Sequence, residues 1–237
     1  MRIAICLAVL LLATACGPEP AAEQGTTPDA AATELAAATP APSATPSRPK
    51  GPFAPRDECG RLAGAGDFRA RLIEAVRLRD ADALVALADP GIKLDFGGGG
   101  GIAELRQRLA AGPELWQALD DLLGLGCAVN SEGGLTMPWL FDQDIGDAEP
   151  YAAMLVMGED VPVMAGPGPS APQIAAISWD LVEAVSYSPE QPLSEVKLSD
   201  GRTGFVATDK LRAVIDYRLL AHRVGGRWKI EALIAGD

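Results

Sequence analysis

Three stretches of the chain hold residue types that could do chemistry. The first is the glycine run at residues 97–101, just ahead of "IAEL". Consecutive glycine N–H groups at a helix start can cradle a phosphate. This run lacks the Gly-Lys-Ser/Thr ending of a P-loop, and it reproduces a dinucleotide fingerprint only because every position is glycine. It reads as a flexible turn from strand to helix. The second is "DQDIGDAE", residues 142–149, with four carboxylates. A calcium loop of EF-hand type needs an Asx at its fifth position and Gly at its sixth. Gly146 and Asp147 stand there in the reverse order, so the stretch reads as a solvated loop. The third is His222, the only histidine, which would share a strand face with Leu220 and Val224. A triad needs a nucleophile and an orienting acid beside it, and no nucleophile elbow appears in the sequence. His222 therefore reads as an ordinary strand histidine. Two cysteines and one histidine make a poor metal set. No catalytic residue is assigned, and no cofactor or metal is expected.

The cysteines divide by position. Residues 1–15 have the layout of a secretory signal: Arg2, then the apolar "IAICLAVLLLA", then "ATA". That apolar stretch is too short to span a bilayer. With Cys16 next, the segment resembles a bacterial lipobox, although Ala13 stands where the motif prefers Leu. The resemblance implies lipidation of Cys16. Gly17, in place of the Asp of inner-membrane retention, points to the periplasmic face of a Gram-negative outer membrane. Cleavage after Ala15 with no lipid is the alternative. Several acyl chains would hold the protein firmly, at about 0.8 kcal/mol per buried methylene. Cys6 leaves with the signal. Cys59 and Cys127 remain as an even pair in an oxidising compartment, which predicts a disulfide, with two buried thiols as the alternative. The formal charge is −12, and losing Arg2 makes it more negative still. Such a chain repels nucleic acid, which is excluded as a partner.

Residues 16–55 are rich in Pro, Ala, Thr and Ser and predict a disordered tether with little to bury. Residues 56–150 predict a mainly helical domain. Asp67 is expected to cap a helix bearing Phe68, Leu72 and Val76, and Asp80 a second bearing Leu84 and Leu87. "IKLDF" predicts a strand or an extended link. A helix is expected near Ile102, and another from Pro113 to Gly124. Residues 151–237 predict strands at 151–157, 161–165 and 180–185, then hairpins turning at Asp200-Gly201 and Gly225-Gly226. On the last strand Trp228, Ile230, Ala232 and Ile234 are expected to share one face. The four tryptophans read as core or junction residues.

The strands "VPVMAGPGPSAPQIAAI" and "VKLSDGRTGFVATDKL" resemble a bacterial SH3 (SH3b) domain, with Gly201, Gly204, Phe205 and Val206 carrying the match. The family's Arg after the first strand and its hairpin Trp are absent here. The resemblance implies an α+β protein: a helical N-terminal domain, then an SH3-like barrel with an extra C-terminal hairpin. It also implies a non-catalytic binding or scaffolding role on peptidoglycan or an envelope protein. Its ligand face would be the loop Gly166, Pro167, Gly168, Pro169 and Ser170, together with Phe205. A second segment, "FRARLIEAVRLRDADALVALADPGIKLDFGGGGGIAEL", together with the closing hairpin, is similar to NTF2-like domains. That likeness implies a small-molecule or enzymatic pocket, with Asp95 and His222 as its polar groups.

Overall fold

The computed structural model describes residues 50–236. The signal, Cys16 and residues 16–49 of the expected tether lie outside the described residues. The elements follow in chain order. Helices α1 (Ala65–Arg77) and α2 (Ala81–Leu87) lead into strand β1 (Ala88–Lys93). Helices α3 (Gly101–Ala111) and α4 (Glu114–Leu123) lead into β2 (Ala128–Val129) and β3 (Leu135–Met137). The strands β4 (Ala153–Val156), β5 (Val161–Met164), β6 (Gln173–Ile177), β7 (Leu181–Ser186), β8 (Leu193–Lys197), β9 (Thr203–Ala207) and β10 (Leu211–Ala213) come next. The hairpin β11 (Arg218–Val224) and β12 (Arg227–Ile234) closes the chain. The protein is α+β.

Local chemistry explains most boundaries. Asp80 caps α2 by accepting from the Ala83 N–H at 2.9 Å. Asp67 does not cap α1. Gly64 holds that position at φ +75°, and Asp67 sits inside the first turn, where its charge still favours the helix dipole. Pro113 precedes α4 and Gly124 follows it, as the sequence predicts.

Two sheets divide the strands. The first runs β1-β12-β11-β3-β2. In it β1 lies parallel to β12, and the other neighbours are antiparallel. The closing hairpin therefore belongs with the helical region, between β1 and β3, and not with residues 151–213. Laterally paired residues share a face of a sheet. One such row is Ala88, Ile230, Ala221, Leu135 and Val129. It faces the helices, in a core with Phe68, Leu72, Leu105, Leu119 and Trp228. The opposite face, open at Lys93 and partly at Leu220, carries the row Lys93, Ala232, Leu220, Thr136 and Ala128, of which Ala232, Thr136 and Ala128 are buried. The period-two expectation for β12 fails at Glu231. Leu220 pairs with Ala232 and Ala221 with Ile230, so Glu231 is an extra residue, a bulge. Trp228, Ile230 and then Leu233 face the helices, while Ala232 and Ile234 turn to the open face.

The second sheet is antiparallel and seven-stranded, in the order β10-β4-β7-β8-β9-β5-β6. Its core is separate: Met154, Val156, Val161, Val163, Val182, Val196, Leu198, Val206 and Leu211. No helix residue joins that cluster, so the sheet buries its inner face against itself. Its edge strands, β10 and β6, are not joined by a ladder.

Two features tie residues 53–59 to both sheets. Phe53 and Ala54, at the end of the expected tether, are packed. The Phe53 N–H donates to the Trp179 carbonyl at 2.9 Å, and Ala54 is buried. Residue 57 bridges residue 127 in parallel, beside a Cys59–Cys127 disulfide that closes a separation of 68 residues. A loop of that span contributes about 4 kcal/mol by the chain-entropy model.

Candidate functional site

The glycine run is built around its own carboxylates. Asp95 accepts from the Gly99 N–H at 2.7 Å, and Glu104 accepts from the Gly100 N–H at 2.7 Å. Arg108 ties the two together. Its Nε donates to Glu104 at 2.9 Å, Nη1 to the Leu94 carbonyl at 2.8 Å, and Nη2 to both Asp95 and Glu104. Two of the amides that a phosphate could use are thus already turned onto internal anions. The backbone explains the composition: Gly98 and Gly101 sit at φ +96° and +81°, where side chains are strained. The Gly99 N–H and Arg108 hold the Asp95 carboxyl below its usual value.

Beside this loop, on the open face of the first sheet, lies a cleft of about 700 Å³. Leu220, Ala232 and Ile234 form its apolar floor. The loop after β1 forms one wall, with Lys93, Asp95 and Phe96. The turn between β2 and β3 forms another, with Asn130, Ser131 and Glu132. Asn130 is committed to the turn: its Oδ1 accepts from the Gly134 N–H at 2.7 Å, and its Nδ2 lies 3.4 Å from Thr136 Oγ1. Phe96 is 57% exposed, and the Arg218 guanidinium lies 5.4 Å from its ring centre. Both ends of the first sheet's chain meet here, since β1 and β12 each contribute lining residues.

Asp95 and His222, the polar pair singled out by sequence, are not brought together in the cleft. Asp95 lines it and His222 does not. His222 Nδ1 lies 2.9 Å from Glu231 Oε2, and it is the bulged Glu231 that reaches the lining. Lys93, Phe96, Ser131 and Glu132 also line the cleft without having been singled out by sequence. Lys93 ends β1 and the other three lie in exposed bends and turns, and none carries a local pattern. The helix side of the sheet is filled by Phe68, Leu72 and Trp228.

The SH3b residues fall on the second sheet. Gly166, Pro167, Gly168, Pro169 and Ser170 form the tip between β5 and β6, and Phe205 lies on β9. Met164 of β5 pairs with Phe205, so the tip and the aromatic belong to adjoining strands. Gly204 is fixed by packing: a Cβ there would lie 2.5 Å from Val163 Cγ1 and 3.0 Å from the Met164 carbonyl. Residues 142–149 form a loop in which Asp144 accepts from the Gly146 N–H at 2.8 Å. Among the described residues no group of three or more His, Cys, Asp or Glu could hold a metal ion, and no helix is long and apolar enough to cross a membrane.

No family model matches the chain, and no curated protein matches it. A solved structure of a designed NTF2 protein aligns at 15% identity and a TM-score of 0.28, covering 73% of this chain and 96% of that one. A likeness at that level carries no argument.

Proposed function

We propose that the chain is a lipid-anchored protein on the periplasmic face of a Gram-negative outer membrane, held through Cys16. Its role is non-catalytic binding or scaffolding, in contact with peptidoglycan or an envelope protein. The seven-stranded sheet is read as an SH3-like barrel of the SH3b kind. The observation that carries the reading is the pairing of Met164 with Phe205, which sets Phe205 on a strand adjoining the one that runs into the Gly166–Ser170 tip. Aromatic side chains on rigid strands are common anchors of small binding modules. The non-catalytic part draws support from the polar groups, since Asp95 is engaged by Gly99 and Arg108, and His222 by Glu231.

The test is sedimentation of the full chain, carrying Cys16→Ser to prevent lipidation, with isolated peptidoglycan sacculi. Saturable co-sedimentation that falls at least tenfold in affinity on Phe205→Ala is the expected result. A chain that stays in the supernatant at every concentration removes the wall as partner.

A second reading, an NTF2-like fold interrupted by the seven-stranded insert, draws on the parallel ladder between β1 and β12. That ladder unites both ends of the described chain in one sheet with helices on one face. In that reading the cleft on the open face is the small-molecule site.

A further inference from the structure

We infer that the cleft on the open face of the first sheet receives a short peptide bearing both a free amine and a free carboxylate. Four charged residues line it: Lys93, Asp95, Glu132 and Glu231. Two of them are already engaged, Asp95 in an ion pair with Arg108 and Glu231 in a hydrogen-bond contact with His222 Nδ1 at 2.9 Å. The ammonium of Lys93 and the carboxylate of Glu132 have no partner among the described residues. One free charge of each sign thus remains, with the apolar Leu220, Ala232 and Ile234 also in the lining.

Geometry sets the ligand's size. Lys93 and Thr136 occupy one lateral row, three strand spacings apart, or about 14 Å between backbones. Glu132 lies in the turn just beyond, whose Asn130 leans onto Thr136. Two or three extended residues, at about 3.4 Å each, fit within that span. The cleft volume, about 700 Å³, falls within the usual range for small-ligand sites. The charges select the chemistry. A simple anion would meet Lys93 but also Glu132, and an uncharged sugar would cover both charges without pairing either. A zwitterionic peptide pairs each and lays its side chains on the floor. This site is on a different sheet from Phe205, so its fate and that of the sacculus assay are read separately.

The experiment is calorimetric titration of the full chain carrying Cys16→Ser with the tripeptide Ala-Leu-Ala, its N-acetylated form and its C-terminal amide. The free tripeptide is expected to bind, with each capped form at least tenfold weaker. Lys93→Gln is expected to abolish the preference for the free carboxylate only, and Glu132→Gln the preference for the free amine only. Both residues are exposed, and an unchanged melting midpoint would show that each variant folds. The capped peptides against the unaltered chain test the inference even without the variants. It is overturned if the free tripeptide does not bind, or if capping leaves affinity unchanged. It is equally overturned if an N-acetylated disaccharide binds in the peptide's place, indifferent to both substitutions.

Discussion

Asp95 and Asp142 are shifted in opposite directions, and each shift is caused by neighbours that the structure identifies. The Gly99 N–H and the Arg108 guanidinium hold the Asp95 carboxyl below its usual value. Burial, and then the Glu58 carboxylate, push Asp142 above its own. The stability that comes from Asp95 is present above the ordinary Asp pKa. It is lost progressively as pH falls toward the lower folded-state value. Asp142 works the other way: its contribution is full at acid pH and is lost as pH rises through its raised value. Asp95→Asn should therefore lower the melting midpoint at pH 7, with the deficit shrinking toward pH 3. Asp142→Asn should raise the midpoint at pH 7, with the gain vanishing in acid. Melting curves of the two variants across pH 3–7 check both signs, and parallel curves would contradict the assignment.

At the scale of elements, Gly204 fixes how β9 meets β5. Its missing Cβ leaves room for Val163 and the Met164 carbonyl. Gly204→Ala should cost about 1–3 kcal/mol through overpacking, measured by denaturant unfolding. Substitution at Gly201, where nothing lies near a Cβ, meets only the strain of φ +85°. The hairpins were legible in the sequence because their signals are local: Asp200-Gly201 and Gly225-Gly226 between alternating strands. The helices were legible for the same reason, through the spacing of Phe68, Leu72 and Val76. The resemblance to NTF2-like domains grouped the two segments, but the parallel pairing of β1 with β12 itself was not legible, because roughly 140 residues separate the strands and neither carries a local mark of its mate. The bulge at Glu231 was also hidden. An uninterrupted alternation of Trp228, Ile230, Ala232 and Ile234 looks identical with or without a slipped residue. The cleft inherits both gaps, since its floor exists only where β12 changes face beside β1.

At the largest scale, the described residues form a sheet-and-helix body carrying a second sheet within a hairpin connection. Met137 of β3 and Leu219 of β11 are lateral partners, so the chain leaves the first sheet and returns to it on adjacent strands. No buried member of the helix-side core comes from residues 138–218. Replacing residues 138–216 with a short Asn-Gly turn should therefore leave a cooperatively unfolding protein with the helical circular dichroism of α1–α4. A gradual melt without a transition would mean that the insert is part of the same folding unit.

The last strand, β12, lies between β1 and β11 rather than at an edge. A growing chain has made all four helices long before the residues that cover them exist. Phe68 and Leu72 await Trp228, Ile230 and Leu233, which lie more than 150 residues further along the chain. Until those residues are made the nascent protein carries an uncovered apolar surface, which makes it a natural client for a holding chaperone. Truncation after residue 227 would remove an interior strand of the first sheet, and the truncated product would be material for proteolysis.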